Sequence, residues 1–382
     1  MQLEQRIWTP KDGWGEPRGE LSEPAELLLL FGGTSVLAEQ AWRSELSERH
    51  PNARLFGCST AGEICDTRVY DDSLSVTAVR FEGTTMQTAY VRLDDHGGSS
   101  TETGVALAEA LPAQGLRHVF TLSDGQGVNG SELVRGLYSR LPEGVQVTGG
   151  LAGDGARFER TLVFADDAPR EGVVAALGLY GDALRIGYGS LGGWDPFGPK
   201  RTITKSSGNV LFELDGKPAL ELYKRYLGEH ATGLPATGLL FPLNIQRPAE
   251  TRTVVRTILA VDEAEQSLTF AGDVPEGSVA QLMKANFERL IDGAADAAKA
   301  CVDPLGTSPS PELAVLISCV GRKLVLKQRT EEEVEGVRDV LGPSAALTGF
   351  YSYGEICPTT SDGGCELHNQ TMTITTFREQ SA

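Results

Sequence analysis

No C-x-x-C pair occurs among the six cysteines, at positions 58, 65, 301, 319, 357 and 365. That spacing excludes zinc-finger sites and covalent haem attachment. In a chain of 382 residues it reads as reduced thiols and not as a disulfide framework. No purely apolar run is longer than Leu27–Phe31, far short of the roughly 20 residues a spanning helix needs. Basic residues are scarce: 34 Lys and Arg against 52 Asp and Glu leave a net charge of −18. A surface of that sign repels phosphate backbones and anionic lipid, so neither nucleic acid nor a membrane is an expected partner. Residues Met1–Pro24 lack a basic segment followed by an apolar one. No secretory signal is therefore expected, and the chain reads as cytoplasmic. The histidines at 50, 96, 118, 230 and 368 are scattered and define no Ser–His–Asp order.

What the chain has in excess is glycine, 45 residues, which implies many tight turns between short strands. Part of that glycine sits in a repeated phrase. Gly57-Cys58-Ser59-Thr60-Ala61-Gly62-Glu63-Ile64 near one end is matched by Gly349-Phe350-Tyr351-Ser352-Tyr353-Gly354-Glu355-Ile356 near the other. A weaker copy reads Gly149-Gly150-Leu151-Ala152-Gly153-Asp154. Each follows an apolar run, a helical stretch and a second apolar run, and self-similarity of this kind has to be settled before any fold is inferred.

The short apolar runs at Glu26–Phe31, His118–Leu122 and Leu313–Val320 read as buried strands, each followed by a helical stretch and a second strand. Thr34 or Ser35 is expected to cap one helix reaching Arg49, and Leu324–Leu326 to continue a strand. Val279, Leu282, Met283, Leu290, Ile291, Ala294 and Ala298 recur at helical spacing and predict one long amphipathic helix. The fold class is therefore α/β in the mixed α+β sense: repeated strand–helix–strand units forming mixed β-sheets covered by helices, in two domains. The divisions are an N-terminal extension over 1–25, a first domain over 26–216 and a second over 217–382.

A carboxylate held after glycine at a strand exit can clamp an ammonium, a guanidinium or a hydroxyl. Glu63 and Glu355 are the candidates, with Cys58, Ser59, Thr60 and Gly62 beside the first and Tyr351 and Tyr353 beside the second. The plainer alternative is that both glutamates accept backbone N–H bonds and only fix a sharp turn. Gly125-Gln126-Gly127-Val128-Asn129-Gly130 has the G-x-G-x-x-G form between a strand and a helix. A dinucleotide site needs an acidic residue at the end of the next strand, and none occurs before Asp154. The N–H groups from Gly127 to Ser131 remain available for a ligand carboxylate, or else Asn129 or Ser131 merely caps the helix. Arg322 could take a carboxylate in a bidentate fork, or pair with one of Glu331–Glu333. Gly57–Ala61 resembles a relaxed nucleophile elbow, but Gly62 and the polar stretch after it argue against the required helix.

Together Gly57–Ile64, Gly149–Asp154, Glu213–Gly216, Pro218–Tyr223, Phe241–Leu243, Phe270–Gly277, Ser318–Lys323, Gly349–Ile356 and His368–Thr371 resemble the FIST family, F-box and intracellular signal transduction proteins. The likeness runs in order through nearly the whole chain after about residue 26 and is that of a stand-alone bacterial member with N- and C-terminal FIST domains. It implies a non-catalytic sensory module for a small polar, amino-acid-like ligand, without a cofactor. In that reading Glu63 and Glu355 take the cationic group, Arg322 or the Gly127–Ser131 helix start the anionic group, and Asp154 and Asn369 belong to the same family phrases. One branch of the family implies an alternative, a haem b nitric-oxide sensor acting on a partner histidine kinase, for which His368 is the candidate ligand. A second alternative is a hydrolase or transferase using Cys58, Ser59 or Cys319 as nucleophile.

Overall fold

Three strands, Leu27–Gly32, Leu116–Ser123 and Leu313–Cys319, are buried nearly throughout. Alternate side chains on a strand face opposite sides. Leu27, Leu29 and Phe31 accordingly join Phe120, Leu122, Leu313, Val315 and Ile317 in one shared core, while Leu28 and Leu30 face a separate outer cluster. The outward residues Val119, Ala314 and Leu316 pack under helices. Burial of both faces explains why Leu27–Phe31 and Leu313–Ile317 read as unbroken apolar runs instead of alternating ones. The computed structural model describes residues 1–248, 250–302, 310–358 and 364–380.

Each of these lead strands opens a repeat of the same plan. It pairs in parallel with a partner strand: Arg54–Ser59, Gln146–Leu151 or Ala346–Ser352. On its other side it pairs antiparallel with a return strand: Leu74–Arg80, Val173–Tyr180 or Met372–Glu379. Between partner and return, the chain leaves its own sheet and crosses to another. Glu63–Cys65 of the first repeat pairs with the third repeat's partner strand. Val163–Ala165 of the second pairs with the first, and Gly354–Pro358 of the third with the second. After the return strands, Thr85–Arg92 adds to the second sheet and Leu184–Leu191 to the third. The corresponding place on the first sheet is taken by Gln2–Thr9, along Leu74–Arg80. The exchange is cyclic, so three sheets close around one core. The fold is the expected mixed α+β class in two domains, with helices such as Ser100–Glu109, Gly130–Tyr138, Phe287–Val302 and Thr330–Leu341 outside.

A second body is inserted between strand Leu184–Leu191 and the helix that precedes the third lead strand. Residues between Trp194 and Ala285 build a nine-stranded sheet with its own core around Ile203, Leu211, Leu243, Ile258 and Phe270. Helix Ala219–Leu227 packs into that core through Leu220 and Tyr223. In this sheet Glu213 pairs with Pro218, across the turn at residue 216.

Three local readings differ from the sequence expectation. The long helix predicted from Val279 begins instead as strand Val279–Ala285 and becomes helix only at Phe287–Val302. Ala280 and Leu282 alternate into the second core, so two-residue spacing was hidden inside a pattern that also fits three and four. Leu324–Leu326 lies in helix Val320–Leu326. The segment after Gly33 forms two helices, Thr34–Glu39 and Arg43–Arg49, broken at Gln40 with φ 53°, and no side chain caps the first.

Candidate functional site

The three glycine phrases do meet. Gly153 N–H donates to the Ser59 carbonyl (3.0 Å), Ala61 N–H to Tyr351 (2.8 Å) and Tyr353 N–H to Leu151 (3.2 Å). The second repeat thus donates to the first, the first to the third and the third to the second, and the strand exits are tied into one ring. The Glu63 and Glu355 carboxylates turn away from that ring into hydroxyl and amide groups of their own repeats. Glu63 is 1% exposed and accepts from Thr60 Oγ1 (2.5 Å) and from Ser73 N and Oγ (3.1 and 2.7 Å). Glu355 is fully buried and accepts from Ser352 Oγ (2.6 Å) and from Thr371 N and Oγ1 (3.2 and 2.9 Å). Burial outweighs these bonds and pushes the carboxyls up to about 7 and about 8. Asp154 accepts the amides of Phe158, Glu159 and Arg160 (2.8–2.9 Å) and the Tyr353 hydroxyl.

Arg322, expected to face a ligand, is inside the protein. Its guanidinium donates twice to Glu333 Oε2 (3.0 and 2.7 Å) and once each to the carbonyls of Gly192 and Leu290. Glu333 also receives Ser318 Oγ and Tyr351 OH (2.9 and 2.7 Å). Of the alternatives weighed for Arg322, the ion pair on the following helix is the one present. Asn369 joins Thr257 N to the Tyr353 carbonyl. Gly127 N–H and Gln126 N–H are taken by Asp124 Oδ1 (2.8 and 2.9 Å), and Asn129 Oδ1 caps Ser131 N and Glu132 N.

Cys58 and Cys319 are fully buried, and burial pushes both thiols well up. Ser59 Oγ donates to the Gly153 carbonyl and accepts Leu162 N–H, with no base among its partners. His368 Nε2 lies 3.1 Å from the Cys357 carbonyl. Among the described residues no group of three or more His, Cys, Asp or Glu is arranged to hold a metal ion.

The open space lies elsewhere, between the threefold body and the inserted one. A cleft of about 380 Å³ is lined by Ser131, Arg135 and Tyr138 of helix Gly130–Tyr138, by Glu366 of strand Cys365–His368, and by Arg247 and Asp273 of the insert. Two ion pairs cross it in opposite senses. Arg135 Nη2 of the threefold body meets Asp273 Oδ2 at 2.5 Å, and Arg247 Nη1 of the insert meets Glu366 Oε1 at 2.5 Å. Asn129 Nδ2 holds the other Asp273 oxygen at 2.8 Å. Arg256 lies fully buried behind the cleft, and burial lowers its guanidinium to about 10, still cationic at neutral pH. Of the sequence candidates, Ser131 lines this cleft and Asn129 adjoins it. Arg135, Arg247, Arg256 and Glu366 carried no sequence signal, because their pairing joins segments more than 100 residues apart, and Asp273 was marked only as part of the Phe270–Gly277 phrase.

Comparison with known proteins places these features. The FIST N domain model matches residues 26–217 and the FIST C domain model residues 219–358. An uncharacterized protein of Mycobacterium tuberculosis is 25% identical over 340 residues, 85% of this chain and 84% of that one. An uncharacterized protein of Methanocaldococcus jannaschii is 28% identical over 231 residues, 55% of this chain. The match spans about two fifths (41%) of the archaeal protein's own length. A cyanuric acid hydrolase from A. caulinodans overlaps 78% of this chain and all of that one at 10% identity, with a TM-score of 0.19, too low to establish a shared fold.

Proposed function

The chain belongs to the FIST family of sensory domains in signal transduction, and from that premise we propose that it binds a small polar ligand in the cleft between its two bodies. The observation that carries the reading is the pair of crossed ion pairs in a cavity of ligand size. A zwitterion, an amino acid being the first candidate, offers a carboxylate to Arg135 or Arg247 and an ammonium to Asp273 or Glu366. Opening one internal pair, such as Arg135–Asp273, lets its two charges pair with the ligand's carboxylate and ammonium while the other pair stays closed, so no charge is left without a partner. The Gly-Glu turns become the frame of the sensor and not its pocket. In this reading the protein works in the cytoplasm without catalysing a reaction, and it hands its state to a signalling partner. The histidine kinase implied by the family resemblance is the first candidate partner. Among the described residues no helix is long and apolar enough to cross a membrane.

A thermal-shift screen of amino acids tests the proposal. A zwitterion should raise the melting temperature in a concentration-dependent way, and Arg247→Ala should weaken it by about tenfold or more. No shift from any zwitterion would remove the reading.

A further inference from the structure

We infer that the cleft recognises an oxyanion through the Ser131 hydroxyl, backed by the buried Arg256; this rests on the cleft reading above and names the ligand group that decides affinity. A serine hydroxyl has two lone pairs and one proton. At Ser131 the oxygen accepts from Arg256 Nη2 (3.4 Å) and from Asp273 N–H (3.2 Å). Both lone pairs are therefore engaged, and the proton has no acceptor among the described residues while the side chain lines the cleft. A donor polarised by a guanidinium on its own oxygen is a stronger donor, because hydrogen bonds in a chain reinforce one another.

The guanidinium behind it supplies a reason for an anion to come. Arg256 is 0% exposed and is held by the carbonyls of Asp273 (3.1 Å), Leu367 (3.0 Å) and Val255 (3.3 Å). Among the described residues no carboxylate reaches it within ion-pair distance, although a buried cation without an anion is costly. Asp273 is turned toward Arg135 and Asn129, and Glu366 toward Arg247. The local sequence is shaped for the contact: a Cβ at Gly272 would come within 2.5 Å of Ser131 Oγ and 3.3 Å of Arg256 Nε. Only glycine leaves the hydroxyl seated on the arginine. The group this arrangement receives is a carboxylate or a phosphate, which share the oxyanion chemistry.

Calorimetric titration of the full chain with L-glutamate, inorganic phosphate and putrescine, a diamine with no oxyanion, tests this. Glutamate or phosphate should bind, and the stronger of the two identifies the source of the oxyanion. Ser131→Ala should weaken that binding by about tenfold, and Ser131→Thr should retain it within about threefold. Gly272→Ala, which displaces the hydroxyl, should reproduce the Ser131→Ala loss. Unchanged anion affinity in Ser131→Ala, or binding of putrescine alone, would overturn the inference and leave the cleft reading standing. Failure of glutamate and phosphate to bind while another amino acid raises the melting temperature would overturn the inference alone, and no shift from any zwitterion would remove both.

Discussion

Glu63 and Glu355 hold the same place in two of the three repeats. Each takes the hydroxyl three residues upstream on one oxygen, from Thr60 or Ser352. Each takes the amide and hydroxyl of the residue ahead of its return strand on the other, from Ser73 or Thr371. The second repeat does the same job with a different residue: Asp124, at the exit of its lead strand, accepts Gly172 N–H (3.1 Å) and Thr161 Oγ1 (2.9 Å) on Oδ2. One carboxylate per repeat thus pins the chain where it enters the return strand.

A pH dependence follows for the first two. The Glu355 carboxyl rises from its ordinary value of 4.5 to about 8, and that of Glu63 to about 7. The folded protein therefore holds more protons than the unfolded chain between those limits. Stability from these groups is full below about pH 4.5, falls as pH rises, and levels off above about pH 8. Denaturant titrations below, within and above that window should show a loss of several kcal/mol, the larger share from Glu355. Glu355→Gln, which keeps both acceptor and donor capacity, should flatten its share of the slope. A stability that climbs with pH across the window would contradict the assignment.

The Arg322–Glu333 pair should behave as structure. Both side chains are fully buried, so removing either leaves an uncompensated charge. Glu333→Ala and Arg322→Ala should each cost about 3–5 kcal/mol, while a joint replacement by Leu and Met should cost much less than the two single losses added. Chemical denaturation of the single and double variants measures the coupling. Additive losses would show that the two residues act independently.

Gly149 and Gly349 are equivalent in the repeat, with φ 150° and 151°. A Cβ there would fall 1.8 Å from the carbonyl oxygens of Thr121 and Leu316 on the neighbouring lead strands. Gly349→Ala should cost above about 4 kcal/mol, seen as insoluble expression or a collapsed melting temperature. Gly144 has φ 84° but open space around it, so Gly144→Ala should cost only about 1 kcal/mol. Similar losses at both sites would mean that backbone strain, not the close strand approach, sets the requirement.

The repeat was legible because its glycines and carboxylates stand at fixed offsets from apolar runs, and Gly57–Glu63 and Gly349–Glu355 keep the same length. Which sheet each crossing strand joins was not legible. Glu63–Cys65 is as apolar as a strand returning to its own sheet would be, and only long-range pairing with Thr348–Phe350 decides. The same limit hid the cleft. Arg135 is an ordinary exposed helix residue until Asp273, 138 positions later, is placed against it. The Gly-Glu acids were conspicuous for a structural reason: a sharp turn repeated three times leaves a stronger imprint on a sequence than a cleft assembled once.

The strand Gln2–Thr9 closes the cycle, although the FIST N match begins at residue 26. It pairs along Leu74–Arg80 through seven residues, from Gln2↔Arg80 to Trp8↔Leu74. Gln5 Nε2 adds buried bonds to Thr77 Oγ1 (3.1 Å) and to the Leu347 carbonyl of the third repeat (2.9 Å). Removing residues 1–25 would leave the Leu74–Arg80 edge unpaired and a buried face uncovered, a template for pairing with a second molecule. The truncated protein should melt at least about 10 °C lower or elute as oligomers, as light scattering after size exclusion would show. A synthetic peptide of residues 1–25 added back should restore the full chain's elution volume and part of its melting temperature. A truncated protein that elutes in the same oligomeric state as the full chain and melts with it would show that the first sheet does not need its borrowed strand.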